Sequence, residues 1–230
     1  MSYPIPENEE ERLELLQQLD ILDSLGEESY DFITKVAAEV FEVPIASITF
    51  VDEERQWLKS RIGLDIAQTP REHAFCTYNI LDDEMLIVED ASTDPRFADN
   101  PFVTGEPNIR FYAGSPIQLR DDIFLGSVCI LDTKPRQLDE KQKQILTSLG
   151  KQVSTLLQMR KVSEDLRQRT REVEHLQQLL PKCSRCGNVR SDDDYWTSVD
   201  DYLQTHTHQQ VTQSLCPDCS ADLDEHLSLV

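Results

Sequence analysis

From Leu138 to Leu180 the chain contains no proline and a single glycine, Gly150, so no residue there stops a helix once it has begun. A helix of about 40 residues is roughly 60 Å long at 1.5 Å per residue, and it outruns any one domain that the remaining residues can build. Its first part, with Ile145, Leu146, Leu149, Val153 and Leu156, has the spacing of a face packed on a core. Its later part places Met159, Leu166, Val173 and Leu180 at heptad position a and Val162, Arg169 and Leu176 at position d, so every seam position except Arg169 is apolar. A second copy of the chain is expected to cover that seam, giving a homodimer, and Pro181 closes the helix. Three segments follow: a domain over residues 1–157, a coiled-coil or signalling helix over 158–180, and a small tail over 181–230.

The tail holds two Cys-x-x-Cys pairs, Cys183 with Cys186 and Cys216 with Cys219. Two intervening residues let a tight turn aim both thiolates at one ion, and two such turns supply the tetrahedral four-sulfur shell of a structural zinc. Gly187 and Pro217 suit those turns. An iron–sulfur cluster accepts the same four ligands, so the spacing leaves both open while the ligand type favours zinc. Disulfides do not suit a reducing compartment, and a thioredoxin-like redox pair lacks its βαβ setting. A complete four-sulfur shell has no open position for water, so no catalysis is expected from the metal, and His206 and His208 read as surface imidazoles. Large apolar residues such as Trp196, Tyr202 and Leu215 are few for an independent core, which makes metal binding a condition of folding.

The first domain opens with amphipathic helical patterns at Glu9–Leu22, with Asn8 as candidate N-cap, and at Glu28–Phe41, which Pro44 stops. The pattern then turns β-branched and aromatic. IASITFVD, an acidic turn at Asp52–Glu54 and RQWLKSRIG read as a hairpin, and further short strands are expected at 85–90, 109–119 and 124–132. Residues 94–108, with three prolines and a glycine, fit neither regular element, and a loop of that length in a compact domain is commonly functional. Helices and strands without regular alternation predict an α+β fold on a mainly antiparallel sheet.

The net charge of −21 falls mostly on residues 1–140. It serves solubility and repels phosphate backbones, so no direct nucleic-acid partner is expected. No apolar run reaches transmembrane length, and the acidic first residues are unlike a secretory signal, which places the chain in the cytoplasm without membrane contact. No glycine-rich phosphate loop, cyclase motif or basic helix-turn-helix occurs, so the output is expected to reside in a protein partner.

The stretches ERLELLQQLDILDS, VPIASITFVDEERQWLKSRIGLD, EHAFCTYNIL, DPRFADNPFVTGEPNIRFYAGSPI and LGSVCILD together resemble the GAF domains of bacterial signalling proteins. The resemblance implies a six-stranded antiparallel sheet flanked by helices, with a ligand cavity between the sheet and the 94–108 loop. By type and position, the candidate ligand-binding residues are Phe75, Tyr78, Phe97, Asn100, Phe111 and Tyr112, which offer aromatic walls and polar tips and equally suit core packing. The cysteine–histidine pair that anchors bilins in photoreceptor relatives is missing, so no covalent chromophore is expected. Cys76 and Cys129 do not match the cysteine motif of the free methionine sulfoxide reductase branch and read as buried, inert thiols. The tail resembles a cysteine-rich segment that follows sensor domains in some bacterial signalling proteins, with Thr212-Gln213 where such relatives often have Ser-His.

The expected function is that of a cytoplasmic signal-transduction sensor or adaptor. A small molecule or a redox state is detected by the first domain and passed through the helix to a zinc-stabilised protein-interaction module. The alternatives are a ligand-free dimeric assembly adaptor and a sulfur-redox enzyme of the same fold, and no catalytic residue is assigned.

Overall fold

In the strand Ile45–Val51 (β1), Ala46, Ile48 and Phe50 alternate with Ser47 and Thr49, and this period of two sends the two sets to opposite faces of a sheet. The computed structural model describes residues 3–177, 183, 185–186, 188–190 and 196–206. Strands Arg55–Ile62 (β2), Gln68–Pro70 (β3), Leu86–Val88 (β4), Phe111–Arg120 (β5) and Ile123–Asp132 (β6) join β1 in a six-stranded antiparallel sheet of order β3-β2-β1-β6-β5-β4. This is the α+β fold expected above; β3, a three-residue edge strand ending in Pro70, has no strand signal in the sequence.

Three helices cover one face. Glu9–Gln18 (α1) and Glu28–Phe41 (α2) sit there with the first half of a long helix, whose Leu146, Val153 and Leu157 meet Phe50, Ala113, Ile117 and Val128 of the sheet. The opposite face is covered by residues 63–110, which carry short 3₁₀ turns at Arg71–His73 and Phe75–Tyr78 and a one-turn helix, Pro101–Thr104 (α3). Asn8 does not cap α1 with its side chain; its amide nitrogen donates instead to the carbonyl of Asp122 (2.6 Å), and Glu9, Glu10 and Glu11 supply the negative charge favoured at a helix start.

The long helix is Glu140–Gln177 (α4). It approaches β5 closely because Gly150 has no Cβ, which would collide with the Ser115 side chain, and because the Ser154 hydroxyl accepts from the Gln118 amide (2.9 Å). Further along, Arg160 donates to the carbonyls of Leu19 (2.7 Å) and Asp20 (2.8 Å) and to the carboxylate of Glu27 (2.9 Å). The same carboxylate meets Lys59 (2.6 Å), whose ammonium is wholly buried and also donates to the Ser24 hydroxyl and the Leu25 carbonyl. A β-bulge at Lys59 makes this possible. Leu58 pairs with Thr49 and Ser60 with Ile48, so the extra residue is turned to the helical face together with Ser60. Met159, Val162 and Leu166 of α4 are 65%, 66% and 64% exposed.

The chain divides within α4, between Leu166 and Arg167, into two units. In the second, Val189–Arg190 (β7) pairs antiparallel with Trp196–Thr197 (β8), and Val199–His206 (α5) follows. The Cys183 amide donates to the Asn188 carbonyl (2.7 Å), with exposed Cys186 in a turn between them. Cys216 and Cys219, like His208 and Leu180, lie outside the described residues. Among the described residues no three metal-ligating side chains come together, and no helix is long and apolar enough to cross a membrane.

Candidate functional site

The face of the sheet without helices and the segment over it enclose a cavity of about 290 Å³. Ser47, Tyr112 and Cys129 form its floor, Gln56, Leu58 and Thr69 one wall, and Phe75 and Cys76 the opposite side, with Asp65, His73 and Glu106 among its polar residues. The lining is mainly apolar, and no Lys or Arg belongs to it. Two polar atoms of its lining residues, Gln56 Oε1 and Thr69 Oγ1, are buried without a hydrogen-bond partner. Leaving such an atom unpaired costs about 1–3 kcal/mol.

The floor holds a polar cluster built from four elements. Cys76, on the 3₁₀ turn, and Cys129, on β6, bring their sulfurs to 3.8 Å from one another. Thr49 Oγ1 (3.1 Å) donates towards Cys76 Sγ and the Tyr112 hydroxyl oxygen lies 3.2 Å from the same sulfur, while Ser47 Oγ lies 3.1 Å from Cys129 Sγ. Tyr112 donates to Asn79 Oδ1 (2.5 Å), and Asn79 Nδ2 donates to the Gly114 carbonyl (2.8 Å). Gly114 leaves room for that bond, because a Cβ there would meet both the Tyr112 hydroxyl and Asn79 Oδ1. Burial opposes ionisation of Cys76, but hydrogen bonds from Cys129, Ser127, Thr49 and Tyr112 outweigh it and hold this thiol below the ordinary cysteine value. The bond to Cys76, together with burial, pushes Cys129 well up. Burial likewise raises the Tyr112 phenol.

Of the residues singled out from the sequence, Phe75 and Tyr112 line this cavity. Phe75 stacks between Phe97 (ring centroids 4.3 Å apart) and Tyr112 (5.0 Å), and Tyr78 meets Phe97 edge-on. Tyr78, Phe97 and Asn100 line a separate depression beside Glu72 and Arg96. Asn100 caps α3 by accepting from the Phe102 amide (2.9 Å) and ties it to the His73 carbonyl (2.9 Å). Phe111 points the other way: the alternation that puts Tyr112 in the cavity puts Phe111, fully buried, in the helix-side core. Cys76 and Cys129 are buried, each 2% exposed, yet they adjoin each other and the cavity rather than sitting apart. Ser47, Thr49, Gln56, Thr69 and Asn79 were not singled out. For the first two the signal was present, as polar residues at every second position of an otherwise apolar strand.

Residues 26–157 match the GAF domain family, so the chain belongs to that family. A cyclic di-GMP phosphodiesterase of Pseudomonas aeruginosa is 47% identical over 133 residues, which cover 58% of this chain and 23% of that protein; the chain thus matches under a quarter of the relative's length. Among solved structures, the GAF domain of an Acinetobacter phosphoenolpyruvate-protein phosphotransferase superposes with a TM-score of 0.50 at 22% identity, covering 66% of this chain and 94% of that one, a likeness of fold.

Proposed function

We propose that this chain is a cytoplasmic signalling sensor whose GAF cavity binds a small, largely apolar molecule that is neutral or cationic and carries a hydrogen-bond donor. The observation that carries this reading is a mainly apolar cavity lined by Gln56 and Thr69, whose side-chain oxygens Oε1 and Oγ1 have no hydrogen-bond partner in the protein. Asp65 and Glu106 without a lysine or arginine oppose phosphate-bearing ligands, cyclic nucleotides included. Ligand contact at Gln56 and Leu58 moves β2; the next residue, Lys59, pulls on Glu27, and Glu27 on Arg160 of α4. The exposed Met159, Val162 and Leu166 pair with a second copy of the chain, so that residues 158–180 carry the change between protomers. Residues 181–230 fold around zinc held by Cys183, Cys186, Cys216 and Cys219 and present a surface to a protein partner. The turn closed by the Cys183 amide and containing Cys186 fits half of that ligand set.

The test is thermal unfolding of the full chain with indole (neutral), tryptamine (cationic), indole-3-acetate (anionic) and cyclic GMP as probes. A ligand at about 100 times its Kd adds about 2.7 kcal/mol, or roughly 5–10 °C for a domain of this size. Indole or tryptamine is expected to stabilise, and Gln56→Leu to reduce the shift. Stabilisation by the anions alone overturns the ligand class, and no shift with any probe favours the ligand-free adaptor.

A further inference from the structure

Two thiols from distant parts of the chain converge on the floor of the cavity, where a solute that enters meets them. Their environment is asymmetric. Cys76 receives a hydrogen bond from Thr49, which favours a thiolate, and has the Tyr112 hydroxyl 3.2 Å away, whereas the Cys129 thiol beside it is pushed up. The sulfurs approach to 3.8 Å, and a disulfide requires them to close to roughly 2.05 Å through movement of the 3₁₀ turn that carries Cys76.

We propose that Cys76 and Cys129 are a redox site that closes to a reversible disulfide when a small organic hydroperoxide enters the cavity. This rests on the cavity being open to small solutes, as the sensing function requires. The Cys76 thiolate attacks the terminal oxygen of the hydroperoxide; an S–O bond forms, the O–O bond breaks, and the alkoxide takes the proton that Cys76 gave up and leaves as an alcohol. Cys129 sulfur then attacks Cys76 sulfur. The S–S bond forms, the S–O bond breaks, and hydroxide leaves with the Cys129 proton as water. Two thiols and one hydroperoxide thus give one disulfide, one alcohol and one water, the two electrons passing from sulfur to the peroxide. The new bond ties the 3₁₀ turn to β6 beneath the Phe75–Tyr112 stack, so oxidation alters the cavity that the ligand occupies.

The full chain is treated with tert-butyl hydroperoxide, alkylated while unfolded, digested and analysed by peptide mass spectrometry, before and after dithiothreitol. A Cys76–Cys129 cross-link lighter by two hydrogens, lost on reduction, is the expected result. In Cys129→Ser the first step stands alone, and a dimedone adduct is expected at Cys76. Recovery of both cysteines as separately alkylated thiols, or oxidation of Cys76 to a sulfinate without a cross-link, overturns the proposal. Indole binding to the reduced protein is measured alongside. A missing cross-link with indole bound removes only the disulfide, whereas a missing cross-link without binding removes the open cavity and both readings with it.

Discussion

Glu27→Gln tests the link between the sheet and α4 most directly. The Glu27 carboxylate, at the N-cap of α2, meets Lys59 at 2.6 Å and Arg160 at 2.9 Å. Removing one partner of a fully buried ion pair costs about 3–5 kcal/mol, and an exposed pair is worth about 0–1. Here the Lys59 side chain is 0% exposed and that of Glu27 is 38% exposed, so solvent screens one end and the expected loss is about 1–3 kcal/mol. The pH dependence adds a second constraint. Burial raises the Glu27 pKa, but Lys59 and Arg160 outweigh it, so the folded value lies below the ordinary 4.5. The contribution is therefore fully present above the unfolded value and is lost as pH falls through the folded one. The assay is urea unfolding followed by fluorescence of buried Trp57 in a Trp196→Phe background, at neutral pH and stepwise down to the acid limit of the fold. A loss below about 0.5 kcal/mol at neutral pH, the size of a surface pair, or a loss that does not shrink in acid, refutes the argument.

Gly150→Ala gains about 1 kcal/mol of helix propensity but drives a methyl group into Ser115, so a net loss of about 1–2 kcal/mol is expected. In a Ser115→Gly background the same change is expected to stabilise, and urea unfolding of the two pairs compares them. Replacing Met159, Val162 and Leu166 together by Ser is expected to leave the secondary structure intact by circular dichroism and to convert the proposed dimer to monomer in sedimentation equilibrium. Chelation of the metal is expected to raise hydrogen exchange in residues 181–230 while 1–157 remain protected; an unchanged tail removes the zinc proposal.

The helical layer was legible because α2 combines apolar spacing with a clear stop at Pro44, and α4 because nothing interrupts it. The hairpin β1–β2 was legible from alternation around Asp52–Glu54, but its bulge was not, since one extra residue disturbs the polar pattern no more than a substitution does. The site was harder to read. Aromatic residues announce themselves, so Phe75 and Tyr112, which line the cavity, were singled out, whereas Phe111 shares their chemistry and differs only in the parity of its position. Cys76 and Cys129 stand far apart in sequence, and only the pairing of β1 with β6 and the fold-back of the 3₁₀ turn bring them together.

The contrast between Phe111 and Tyr112 has a mechanical corollary. Along β5 successive side chains belong to different compartments, one filled by helices and one bordering the cavity, and the partition between them is a single backbone thick. No side chain in that strand reaches both. Any molecule bound in the cavity under the proposed function is therefore felt on the far side only as a change in the twist or position of the partition itself, so a stiffer sheet would make a duller instrument, whatever its affinity.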